Sequence, residues 1–161
     1  MGSRMELVAG DAGEIVVAIG TDDGSRLREP DRFQAYVSLS GGMDPTWLDF
    51  FSEAARSATD RDGPVDFIDA RSELGSDEGP TTEAVGALTI ERVDPSWISA
   101  VAAIPDAALD GLAGRWIDRI EEDLGSLGAE EKPWIRALAG GLVRFCRAAA
   151  RAPDVVFVWS L

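Results

Sequence analysis

The sequence predicts an α+β fold: a mostly antiparallel sheet of about five strands, in the order ββαββαααβ, with helices packed on one face. Three observations carry this expectation. The stretch from Lys132 to Leu161 reads as a long amphipathic helix, a proline stop and a short apolar strand. Residues 33–39 alternate apolar and polar side chains, the pattern of a half-buried strand. Asp-Pro pairs at 44–45 and 94–95 each follow a strand-like segment and supply the chemistry of a helix start. With 161 residues and 45% apolar side chains, the chain fits one globular domain with a sizeable core.

Met1–Arg4 (MGSR) reads as an appended leader, leaving 5–161 as the domain. Glu14–Gly20 (EIVVAIG) is the first strand candidate because of its β-branched centre, and Asp23-Gly24 signals a turn after it. A polar connector leads to Phe33–Leu39, with Phe33, Ala35, Val37 and Leu39 on one face. Asp44 then caps a helix with Pro45 in its first turn and Trp47, Phe50, Phe51, Ala54 and Ala58 as its core stripe. Val65–Ala70 is a short strand candidate, Arg71–Glu83 a polar surface loop, and Ala84–Arg92 a fourth strand. A helix from Asp94-Pro95 runs to Ile104-Pro105, and Asp106 caps the next. That helix carries Leu109, Leu112, Ala113, Trp116, Ile117, Ile120 and Leu124 at three- and four-residue steps, and Gly125 stops it. The last helix buries Trp134, Ile135, Leu138, Leu142, Phe145 and Ala149. Pro153 ends it, and the run Val155–Trp159 predicts a strand covered on both sides in the middle of the sheet.

One recurrence spans the chain. Asp44-Pro45-Thr46-Trp47-Leu48 returns fifty residues later as Asp94-Pro95-Ser96-Trp97-Ile98, and Gly13 and Pro30 match Gly63 and Pro80 at the same offset. The reading is either a tandem ββα duplication, with halves 13–62 and 63–112, or the shared capping chemistry of two unrelated helix starts. A duplication would place a cleft between the halves, with Trp47 and Trp97 near its walls.

The net charge is −14, and it is uneven: residues 1–131 hold 28 acids against 10 bases, whereas 132–161 hold five bases and Asp154. So negative a chain repels nucleic acid and anionic membranes and attracts a basic protein surface. The simpler reading is that the charge keeps the protein dispersed. No run of about eighteen apolar residues is long enough to span a bilayer. There is no secretory signal pattern, and the single Cys146 suits a reducing cytoplasm. Fourteen arginines to one lysine suggest a GC-rich bacterial genome.

The complete absence of histidine removes Ser/His/Asp and Cys/His catalysis and most zinc sites. Neither GxGxxG nor GxxxxGK[ST] occurs, and no cofactor or metal is implied. Cys146 lies on an apolar helix face and reads as an inert core thiol. Asp60-Arg61-Asp62-Gly63 resembles the start of a calcium loop, but its twelfth position is Arg71 and not glutamate, so it reads as a solvated turn. Asp66 and Asp69, on a strand, would point to opposite faces. Arg144, Arg147 and Arg151 form the one basic patch and are expected to pair with the chain's own acids.

Three functions are compatible with these residues. The first is a non-enzymatic cytoplasmic module, immunity- or inhibitor-like, whose acids dock on a basic protein. Its candidate contact residues are Asp60, Asp62, Asp77, Glu78, Glu121, Glu122 and Asp123. The second is a small-molecule-binding domain using the Trp47/Trp97 cleft. The third is a histidine-free enzyme built on carboxylates and arginine. A homodimer is compatible with all three.

Overall fold

The computed structural model describes residues 4–22, 27, 29, 32–39, 43–59, 63–74 and 88–160. Its elements are β1 (Arg4–Gly10), α1 (Ala12–Asp22), β2 (Ala35–Ser38), α2 (Thr46–Ala58), α3 (Phe67–Ala70), β3 (Arg71–Glu73), β4 (Thr89–Val93), α4 (Pro95–Ala102), α5 (Leu109–Leu124), α6 (Glu131–Ala149) and β5 (Asp154–Ser160). A 3-10 turn, Asp106–Ala108, leads into α5. The protein is α+β, with an open five-stranded sheet in the order β2-β1-β5-β4-β3 and every neighbouring pair antiparallel.

The chain divides into two compact units, one of residues 1–43, 71–95 and 148–161, the other of residues 44–70 and 96–147. The first holds the sheet and α1. β5 takes the central position, pairing Leu7 with Phe157 on one side and Ile90 with Val158 on the other. Val155, Val156, Phe157 and Val158 are all buried, so both faces of this strand are covered, as its uninterrupted apolar run predicts. On one sheet face Val8, Ile90, Val156 and Val158 pack with Ala12, Ile15, Val16, Ala18 and Ile19 of α1, with Leu27 and Phe33 completing the cluster. Glu6 is also buried, and the Arg4 guanidinium donates to both its carboxylate oxygens at 3.2 Å.

Residues 14–20 are helical, not a strand. The Asp11 carboxylate accepts the Glu14 N–H at 3.0 Å, and Asp154 of β5 accepts the Ala12 N–H at 3.2 Å. The helix N-terminus thus gains a local cap and a tertiary one. Buried Ile15, Val16, Ala18 and Ile19 follow helical steps, while Val17 faces out. The first strand is instead Arg4–Gly10, so Arg4, which the sequence assigns to a leader, pairs with Ser160 inside the sheet. Two further segments differ from expectation. Residues 67–70 form the single turn α3, and Arg71–Glu73 pair with β4 as an edge strand. Among the described residues, 13–62 therefore run α-β-α and 63–112 run α-β-β-α before α5, an order that differs from ββα in both halves.

The second unit is helical. Asp44 accepts the Thr46 N–H at 2.8 Å, the expected start of α2. Gly125, at φ 89°, ends α5 with its N–H on the Glu121 carbonyl, the conformation in which glycine meets no Cβ penalty. Asp106 does not cap α5; its carboxylate takes a 2.8 Å bond from Arg147. The core gathers Phe51, Phe67, Trp97 and Trp116, with Phe67–Trp97 and Phe51–Trp116 edge-to-face at 4.9 and 5.0 Å. Their indole N–H groups are satisfied: Trp97 donates to Ser52 Oγ at 3.0 Å, and Trp116 to the Trp47 carbonyl at 2.8 Å.

Candidate functional site

The acid-rich end of α5 and its link to α6 contain the best-defined group of sequence candidates. Between 106 and 131 the chain carries eight acids and two arginines. An amphipathic helix with Leu112, Ala113, Trp116, Ile117 and Ile120 inward puts its remaining positions, Asp110, Arg115, Asp118, Glu122 and Asp123, in solvent. Three of the expected contact residues lie here and are brought together. Glu121 is half-buried and engaged: one oxygen accepts the Leu127 N–H at 3.1 Å, and the other lies 3.7 Å from Lys132. Glu122 is largely exposed and sits 3.9 Å from Arg119, one turn back. Asp123 is exposed, with no partner among the described residues. Glu131 reaches back to the Gly128 N–H at 2.7 Å, half of a capping box, whereas Glu130 is exposed and unpaired among the described residues. Asp60, Asp62, Asp77 and Glu78 lie outside the described residues.

Carboxylates at the end of a helix oppose its dipole, and the nearby cations only partly offset this. Arg119 is largely consumed, its Nε on Glu53 at 3.1 Å and its guanidinium 4.2 Å from the centre of the Phe50 ring. A depression of about 220 Å³ opens between α2 and α5, lined by Glu53, Ala54, Ser57, Arg115, Asp118, Arg119 and Glu122. Its charges are mixed. Among the described residues no group of three or more Asp, Glu or Cys side chains is placed to hold a metal ion.

The remaining candidates fall elsewhere. Trp97 has no solvent exposure and is a core residue, so it cannot line a cleft; Trp47 is half-buried in the first turn of α2. Asp66 pairs with Arg56 at 2.7 Å, and Asp69, one helical turn on, is exposed. Cys146 is fully buried, and burial pushes its thiol far above the ordinary range, so it stays protonated and unreactive. Of the basic patch only Arg147 pairs as expected. Its guanidinium donates to the Ala102 and Ile104 carbonyls and to Asp106. Arg144 and Arg151 are exposed with no partner among the described residues, as is Arg136. Asp110 and Asp118 belong to no sequence motif. Their signal is polar residues on the outward face of an amphipathic helix, which does not say which of them find partners.

In the first unit, Arg71 is held on the sheet by Glu91 at 3.2 Å and by the Phe157 and Trp159 rings at 5.4 and 5.8 Å. Trp159 Nε1 donates to the same Glu91 oxygen at 2.7 Å. This cluster ties the edge strand β3 to the sheet and is structural. Among the described residues no helix is long and apolar enough to cross a membrane. No protein-family model, curated protein or solved structure matches the chain.

Proposed function

We infer that this protein is a non-enzymatic, cytoplasmic binding module of the immunity or inhibitor type, docking through acidic surface on a basic protein partner. The observation that supports this is the carboxylate group at the end of α5. Exposed Glu122 and Asp123 stand where the helix dipole disfavours negative charge, and exposed Glu130 adds a further carboxylate in the link, at the start of α6. Asp123 gains no compensating partner among the described residues. Local arrangements that cost stability without repaying it within the fold are characteristic of functional surface. Opposite charge on a partner would repay it, speeding encounter and fixing orientation.

The test is affinity capture from native host lysate at low salt, comparing the wild-type chain with E122Q/D123N/E130Q. The expected result is a basic protein retained by the wild type, released by moderate salt and not retained by the variant. Equal retention by both chains rejects the assigned surface. Absence of any basic protein on a folded bait rejects the reading itself.

A further inference from the structure

The outward surfaces of α5 and α6 carry a second pattern, independent of the acids at the helix end. Along α5, Asp110, Gly114 and Asp118 follow one another at four-residue steps; along α6, Arg136, Gly140 and Arg144 do the same. Four-residue steps define the shallow ridges along which two helices interdigitate. Each ridge reads charge, glycine, charge, with its two charges about 12 Å apart along the helix. The two ridges are opposite in sign. All four charged side chains are exposed, and none has an ion-pair or hydrogen-bond partner among the described residues.

The glycines fit the same pattern. A Cβ at Gly114 would meet nothing within 4 Å, and one at Gly140 would meet only the Arg144 side chain lying back over it. Packing inside the chain therefore does not call for glycine at 114, although glycine within a helix is destabilising relative to alanine. A glycine at the centre of a ridge does let a second helix approach closely.

We propose that the α5 ridge of one copy seats on the α6 ridge of a second copy, making the protein self-associating. Gly114 and Gly140 lie at the crossing, and Asp110 and Asp118 stand against Arg136 and Arg144. The occupant is a second copy because the matching ridge, equal in length, centre and charge count, belongs to this chain and is unsatisfied among the described residues. At physiological ionic strength the Debye length of about 8 Å screens the general repulsion between two negative chains and leaves contact pairs in place. A contact between two different surfaces closes a two-fold dimer when made twice and otherwise extends into longer assemblies; both are self-association through this contact.

Sedimentation equilibrium at about 0.15 M salt tests this. The wild type is expected to exceed the 17.2 kDa chain mass as concentration rises. R136D/R144D and D110R/D118R should each weaken association by about tenfold or more, since each replaces two attractive pairs by like charges. Mixing the two variants in equal amounts should restore it, because both contacts are then complementary again. Circular dichroism checks that each variant is folded, and R136A/R144A serves if a swap is not. A wild type that stays at 17.2 kDa at every concentration overturns the proposal. So do swaps that leave association unchanged, or a mixture that remains monomeric.

Discussion

Replacing Ser52 by alanine isolates one buried interaction in the helical unit. Ser52 is fully buried on α2; its hydroxyl donates to the Leu48 carbonyl and accepts the Trp97 indole N–H, each at 3.0 Å. Trp97 is fully buried too, so without the hydroxyl its N–H has no water to turn to. An orphaned neutral donor of this kind costs about 1–3 kcal/mol. Alanine returns roughly 0.5 kcal/mol through better helix propensity. The net expectation is a loss of about 0.5–2.5 kcal/mol, or a melting temperature lower by roughly 1–10 °C for a chain of this size. Calorimetry on the wild type, S52A, W97F and S52A/W97F measures it. In the W97F background no indole N–H remains to be orphaned, so S52A should there be nearly neutral, with a coupling of about 1 kcal/mol or more. Equal cost in both backgrounds would show that the hydrogen bond does not carry the energy.

Three further outcomes follow from the geometry. Asp154→Ala should cost about 1–2 kcal/mol in urea unfolding by removing the cap on the Ala12 N–H. Asn should recover most of that loss, because the accompanying Arg92 pair is partly exposed and contributes little. Arg147→Lys should destabilise almost as much as Arg147→Ala, about 1–2 kcal/mol, since one ammonium cannot reproduce the fork that spans two carbonyls and Asp106. Cys146 should resist a disulfide reagent in the native state and react fully in denaturant. Because its thiol is raised in the folded chain, the unfolded state loses the proton first. Its contribution to stability is therefore intact below the ordinary thiol value of 9.0 and declines as pH rises above it. Rapid native labelling would contradict the burial.

Elements whose signal is local and unmixed were legible from sequence. Val155–Trp159 is a strand because nothing in it suits another state, and Gly125 stops α5 because its positive φ is open to glycine without a Cβ penalty. Residues 14–20 misled because Ile15-Val16-Val17 is a β-branched run, while the competing cue, Asp11 three residues before Glu14, is only two side chains wide. The packing of Ile15, Val16 and Ile19 on β5 and β4 decides the matter, and that is tertiary. β3 could not be read at all: Arg-Ser-Glu has no strand signal and pairs because β4 offers it an edge. The candidate surface divides in the same way. That 106–131 is acidic is written in the composition. That Glu121 is engaged while Asp123 is free depends on where Leu127 and Lys132 come to rest.

The central place of β5 has a consequence for how the chain is made. β1 emerges from the ribosome first, and its inner neighbour follows about 140 residues later, a delay of roughly 7–30 s at ordinary synthesis rates. Throughout that interval β1, and from its synthesis onward β4, lack the strand that both flank, and their edges wait for a partner. The residues of α2 and α4–α6 are all synthesised within it. Helices form from near neighbours and need no such wait. The helical unit is therefore the part that matures during translation, and the sheet is the part that must be kept from other strands until the last one arrives.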